Sequence, residues 1–117
     1  MILTMPWPAK ELSPNARQHW AKLSAAKGAM RWAWYAAAKA QGAKPLKLAK
    51  ADSLSVHLKF AAPDRRRRDM DNALASCKAG IDGLADLLGV DDSRWLLTLS
   101  SAPEPVSGDA VIVEVAA

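Results

Sequence analysis

Apolar and polar positions alternate in some stretches of the chain and recur every three or four residues in others, and the two periods predict different elements. Residues 53–61 (SLSVHLKFA) alternate: Leu54, Val56, Leu58 and Phe60 face one way, Ser55, His57 and Lys59 the other. That is a strand with one buried face, and His57 on its polar side reads as an ordinary exposed histidine. Trp20, Leu23, Met30 and Trp34 recur at three-, four- and seven-residue spacings, which puts them on one face of a helix and in the core. This helix is expected over residues 16–41. Ser13 or Asn15 would cap its start with Pro14 in the first turn, and Gly42 would end it with Pro45 beyond. Gly28 weakens its middle and marks a point where it could break. A second helix is expected over residues 71–88, with Leu74, Cys77, Ile81, Leu84 and Leu88 on its apolar face. Residues 2–7 read as a short first strand, closed by Pro6 and Pro8. Residues 95–100 and 110–115 read as two last strands, joined by the turn formers Pro103-Glu104-Pro105 and Ser107-Gly108-Asp109. The order β-α-β-α-β-β predicts an α+β fold: a single two-layer domain over residues 1–117, with a mixed sheet packed on two helices.

Composition narrows the class. A chain of 117 residues holds one core, and 50% hydrophobic with 24% charged residues is the balance of a folded globular protein. Cys77 is the sole cysteine, so neither an intramolecular disulfide nor a cysteine-based zinc site is available, as suits a reducing cytosol. No basic segment followed by an apolar run opens the chain, and no apolar stretch approaches the roughly 20 residues that cross a bilayer. A cytoplasmic protein with no membrane partner is expected.

The net charge of +4 conceals an asymmetry. Residues 1–50 carry nine Lys/Arg against one acid, Glu11, whereas residues 51–117 carry seven basic and eleven acidic side chains. A basic element beside a localised acidic one suits a polyanion partner together with a cation site. Arg17, Lys27, Arg31 and Lys39 fall on a different face of the first helix from its apolar residues, with Trp32 and Tyr35 nearby. Basic side chains interleaved with aromatics can hold phosphates while rings stack on unpaired bases, although an aromatic on a helix is more often packed.

The chemistry concentrates in residues 63–92, PDRRRRDMDNALASCKAGIDGLADLLGVDD. If Asp69 ends an extended segment and Asp71 starts the helix, both carboxylates can converge on one hard cation such as Mg²⁺ or Mn²⁺. A lone D-x-D has a blander use as well, since Asp71 or Asn72 can cap the helix. At about 100° per residue, Lys78 and Asp82 return to within roughly 20° of Asp71, so the three form a polar stripe. Lys78 and Asp82 also stand as an ordinary i,i+4 ion pair worth about 0.2–0.5 kcal/mol. Beside a metal, Lys78 would neutralise charge on a scissile phosphate. The turn after Gly89 can return Asp91 or Asp92 toward Asp69 and Asp71, although an Asp-Asp turn is usually just solvated. Arg65, Arg66, Arg67 and Arg68 would hold phosphates against a site that otherwise repels them. Without a Gly-rich phosphate loop, a His/Cys pattern or a Ser/His/Asp constellation, the residues point to metal-assisted phosphodiester hydrolysis by water.

The run Asp64-Arg65-Arg66-Arg67-Arg68-Asp69-Met70-Asp71-Asn72, then Lys78, Asp82-Gly83-Leu84 and Gly89-Val90-Asp91-Asp92-Ser93, resembles the signature of the RusA family of Holliday junction resolvases. The front end, Leu12-Ser13-Pro14-Asn15-Ala16-Arg17 with His19-Trp20, is similar to prophage-type members. The resemblance implies a homodimeric crossover junction endodeoxyribonuclease that makes paired nicks in four-way DNA junctions with Mg²⁺, Mn²⁺ substituting, in the cytoplasm of a bacterium or phage-infected host. It implies Asp69 and Asp71 as metal-binding carboxylates, one of Asp91 or Asp92 as a third with Asp92 favoured, Lys78 as the active-site lysine, and Asp82 as a supporting acid near the metal. The expected DNA contacts are Arg65, Arg66, Arg67 and Arg68, with Asn15, Arg17, Lys27 and Arg31 from the front half. Residues 110–115 or the Trp-rich helix would form the dimer interface. Two other functions share these features: a branched-DNA-binding protein that does not cut, and a Mg²⁺ nuclease for flaps, forks or single strands.

Overall fold

The computed structural model describes residues 1–14, 16–17, 19–62, 69–102 and 109–116. Strand β1 (Ile2–Pro6) leads through a 3-10 turn, Lys10–Leu12, into helix α1 (Trp20–Ala40). Strand β2 (Leu54–Ala61), helix α2 (Met70–Leu88), a 3-10 turn at Asp92–Arg94, and strands β3 (Trp95–Ser101) and β4 (Ala110–Ala116) complete the chain. The four strands form one sheet in the order β1-β4-β2-β3. β2 and β3 run parallel, joined by the crossover helix α2, whereas β4 lies antiparallel to both β1 and β2. The α+β architecture of a mixed sheet on two helices, in the expected order, is what the chain forms.

The alternation of β2 explains where the core lies. Leu54, Val56, Leu58 and Phe60 are buried, joined by Leu3 and Met5 of β1 and by Val111, Val113 and Val115 of β4. Against this face α2 lays Cys77, Ile81, Leu84, Leu87 and Leu88, and α1 lays Met30, Trp34 and Ala38. Trp34 is fully buried, and its indole N–H donates to the Pro6 carbonyl 3.1 Å away, so the ring is apolar in contact and satisfied at its one polar atom.

Two small residues on α2 let the helices meet. A Cβ added at Gly80 would fall 2.5 Å from the Trp34 ring, and one added at Gly83 would overlap the backbone carbonyl of Arg31. α2 ends at Gly89, whose left-handed φ of 69° suits glycine, and whose N–H closes onto the Ala85 carbonyl at 2.9 Å.

Several expectations are corrected. α1 begins at Trp20 rather than near residue 16, and His19 is its cap, with Nδ1 accepting from the Ala21 N–H at 3.2 Å. Ser13 instead ends the preceding 3-10 turn, and Asn15 lies outside the described residues. Trp20 is 75% exposed and Leu23 only half-buried; the buried residues of α1 begin at Met30. Periodicity gives the direction of a face but not whether another element covers it at that end. α1 runs unbroken through Gly28. β4 is paired along both sides, so its backbone offers no free edge to a partner strand. His57 is half-buried on the outer face of the sheet, its two ring nitrogens 2.6 Å from Thr98 Oγ1 and 2.7 Å from Ser100 Oγ on β3. The turn formers expected at residues 103–105 and 107–108 lie outside the described residues.

The helix contact makes two alanine substitutions differ in sign. Gly28→Ala, with nothing within 4 Å of the new methyl, should stabilise by about 0.5–1 kcal/mol through helix propensity. Gly83→Ala gains the same propensity but drives a methyl into the α1 backbone, for a net loss of about 1–3 kcal/mol. Urea unfolding of both variants checks this, and shifts of the same sign would contradict the packing.

Candidate functional site

Beside the close contact of α1 and α2 at Gly80 and Gly83, an open cleft of about 650 Å³ is lined by residues of both helices. Lys27, Gly28 and Arg31 line it from α1; Asp71, Lys78 and Asp82 line it from α2; Leu12 and Leu74 add apolar surface. The polar stripe expected from helix geometry therefore opens into a single cleft, opposite two basic residues of the first helix.

The start of α2 gives the cleft its acids. Asp69 occupies the cap position in extended conformation (φ −78°, ψ 138°), yet its side chain makes no capping bond. Asp71 sits in the first helical turn. Neither carboxylate makes a hydrogen bond or ion pair with another described residue. The positive end of the helix dipole favours both charges, and their oxygens stay available to a ligand.

Farther along α2, Lys78 is already engaged. Its ammonium donates to Asp82 Oδ1 at 2.7 Å and to Asp92 Oδ2 at 2.5 Å. The hydrogen bond to Asp82 and then that to Asp92 raise its pKa above the ordinary lysine value, with slight desolvation opposing. The doublet after Gly89 splits its tasks. Asp91 turns back to accept the Ser93 N–H at 3.0 Å, capping the 3-10 turn, and hydrogen bonding to the Ser93 side chain and then to its N–H holds the Asp91 carboxyl below the ordinary range. Asp92 faces Lys78. Lys78 is 57% exposed and its two acids about one-third exposed, so these bonds are weak and exchangeable.

The residues can be tested against a divalent cation. At a rise of 1.5 Å per residue, Asp82 stands about 16 Å along the helix axis from Asp71, and Lys78 about 10 Å. No carboxylate spans the longer gap, so Asp82 cannot share an ion with Asp71, contrary to its expected place beside the metal. Among the described residues no three His, Cys, Asp or Glu side chains stand close enough to hold a metal by themselves. Mg²⁺, however, commonly takes one or two carboxylates and fills its shell with water and phosphate. Asp69 and Asp71, all-oxygen and uncommitted, fit that requirement.

A further pair was not read from the sequence. Arg31 clamps Asp86 with two hydrogen bonds, Nε to Oδ2 at 2.7 Å and Nη2 to Oδ1 at 2.9 Å, across the α1–α2 contact. The signal was present, since Asp86 lies four residues beyond Asp82 and extends the same stripe. Of the other expected DNA contacts, Lys27 lines the cleft and Arg17 is exposed ahead of α1. Asn15 and Arg65 to Arg68 lie outside the described residues. Trp32 and Tyr35 stack with ring centroids 5.7 Å apart and planes 17° from parallel.

The Arg31 hydrogen bonds are the main reason that Asp86 titrates below the ordinary carboxylate value of 3.8. A depressed folded-state pKa means that the pair stabilises the fold above the ordinary range and loses that contribution as pH falls through the folded value. The contribution is small, because both side chains are about half exposed. In an NMR titration, Arg31→Met should move the Asp86 midpoint up toward 3.8. An unchanged midpoint would mean that the clamp does not form in solution.

The sequence matches no protein-family model. It is similar to an uncharacterized protein of Xylella fastidiosa (strain Temecula1), 43% identical over 94 residues. The chain spans about three-fifths of that relative, the match covering 80% of this sequence and 61% of the other.

Proposed function

We propose that the protein is a Mg²⁺-dependent, structure-specific endodeoxyribonuclease of the RusA kind, which acts as a homodimer and resolves four-way DNA junctions by paired symmetric nicks. The observation that carries this reading is the uncommitted Asp69–Asp71 pair at the start of α2, with Asp71 in a cleft whose opposite wall is basic. The motif resemblance supplies the substrate. Asp69 and Asp71 would hold the ion, whereas Asp92 stands with Asp82 on the Lys78 ammonium, farther along α2. When bound, the ion would neutralise phosphate charge and make water a competent nucleophile at neutral pH, and Mn²⁺ would serve as well.

The chain's own residues do the rest. Lys27 and Arg31 meet phosphates along the α1 wall, offsetting the repulsion between DNA and the acidic wall. Lys78, itself more than half exposed, exchanges a carboxylate for a phosphate oxygen and stabilises the charge that builds there. Two-fold symmetry would supply two such sites for two strands of opposite polarity. Among the described residues no helix is long and apolar enough to cross a membrane; a cytoplasmic setting is what such a substrate would require. A nuclease for flaps, forks or single strands is a second reading, favoured by the exposed Trp32 ring stacked on the half-buried Tyr35, which suits unpaired bases.

The test is cleavage of a labelled four-way junction in Mg²⁺, beside a linear duplex, a flap and a single strand. Wild type should nick the junction in symmetric pairs. Asp71→Asn should retain junction binding and lose at least about 100-fold in cutting rate, more than loss of a supporting partner at a metal site costs. Binding without cutting in either Mg²⁺ or Mn²⁺ would replace the enzyme with a branched-DNA-binding protein. Cutting of flaps or single strands in preference to junctions would select the second reading.

A further inference from the structure

We propose that the Trp32–Tyr35 stack on α1 is a docking platform for an unpaired nucleobase of the DNA substrate. The proposal rests on the DNA-cutting reading for its partner but on separate residues for its site. Trp32 is 67% exposed, although it is among the largest apolar side chains of the fold. Its ring is not loose on the surface: it lies nearly parallel to Tyr35, and Lys39 Nζ stands 6.0 Å from the Tyr35 centroid on the next turn. The two rings form one wall of a recess of about 320 Å³, completed by Gly28, Arg31 and Asp86. Gly28 and Arg31 also line the larger cleft, so the aromatic recess and the acidic site share a wall.

The chemistry around the rings selects the occupant. An apolar protein segment would need no cations, yet Arg31 lines the recess, Lys39 stands beside the Tyr35 ring, and Lys27 lines the adjoining cleft. The one acid of the recess, Asp86, is already neutralised by Arg31. A second copy of the chain docking through this face would bring the lysines of two α1 helices against each other. A flat, polarisable group carried on an anionic backbone satisfies both the rings and the cations, and an unpaired nucleotide is that group. The shared wall adds a geometric meaning: a base lifted from the stack near a branch point would occupy the recess while its neighbouring phosphates run into the cleft. The platform thereby favours substrates with disrupted pairing over intact duplex, because bases inside a duplex have no free face to offer.

Binding measured in EDTA with the full chain tests this independently of cutting. The probes are a single-stranded oligodeoxynucleotide, a duplex with a three-nucleotide gap and a blunt duplex, with 2-aminopurine as the unpaired base in the first two. Wild type should quench the 2-aminopurine fluorescence. Trp32→Ala should weaken binding to the single-stranded and gapped probes about 5- to 100-fold, leave the blunt duplex within about two-fold, and abolish the quench. Trp32→Phe should recover most of the affinity. An unchanged thermal midpoint is expected for both variants, because the residue is on the surface. Equal losses on all three probes, no loss on any, or a loss that tracks dissociation of a homodimer in sedimentation velocity would each overturn the platform. The two readings fail separately: base-selective binding by a wild-type protein that cuts no DNA in Mg²⁺ leaves the platform standing and removes the nuclease.

Discussion

The structure depends on how closely α1 approaches α2, and that approach is set by what is missing from two residues. Gly80 receives the Trp34 ring and Gly83 receives the Arg31 carbonyl, so a side chain and a backbone of α1 are seated on successive turns of α2. Neither contact survives the addition of a methyl group without movement of one helix. With the spacing fixed, the indole of Trp34 reaches the Pro6 carbonyl and ties α1 to β1, and the sheet, α1 and α2 enclose one core. Interiors packed at crystal-like density transmit a displacement rather than absorb it, so a shift at Gly83 would be felt at the sheet.

The same contact builds the polar features beside it. Arg31 uses its backbone to meet Gly83 and its side chain to clamp Asp86, so one residue is both spacer and ion-pair donor. Its neighbour Trp32 is turned outward onto Tyr35, and Gly28, one turn earlier, leaves the wall between cleft and recess low. Core and surface chemistry are thus interleaved along a few residues of α1.

Much of this was legible in the sequence. Alternation in β2 and the apolar face of α2 were fixed by local periods, and tertiary packing did not override them, because each element had its burial partner. The polar stripe Asp71–Lys78–Asp82 followed from helix geometry alone. What failed were statements that need a second element. Trp20 has the spacing of a core residue and no element over it; His57 looked solvated until Thr98 and Ser100 of β3 were placed on either side of its ring. Grouping Asp82 with Asp71 used the angular period of the helix and neglected its rise. The partition of Asp91 and Asp92 between capping and Lys78 depends on the path of a single turn, which residue types alone do not specify.

Lys78 and Arg31 are positive residues that already hold carboxylates. In a free protein, a cation facing solvent is attended by mobile anions, and a polyanion that binds it gains from its own released counterions. Here the attending anions are Asp82, Asp92 and Asp86, which are tethered and cannot diffuse away. A phosphate arriving at Lys78 must displace an acid that then remains a few ångströms distant and repels it. Association of a polyanion with this cleft would therefore be a partner exchange within a fixed set of charges. Its affinity should depend on ionic strength less steeply than the number of basic residues lining the cleft would suggest, with the steep part of the dependence left to cations that have no acid beside them.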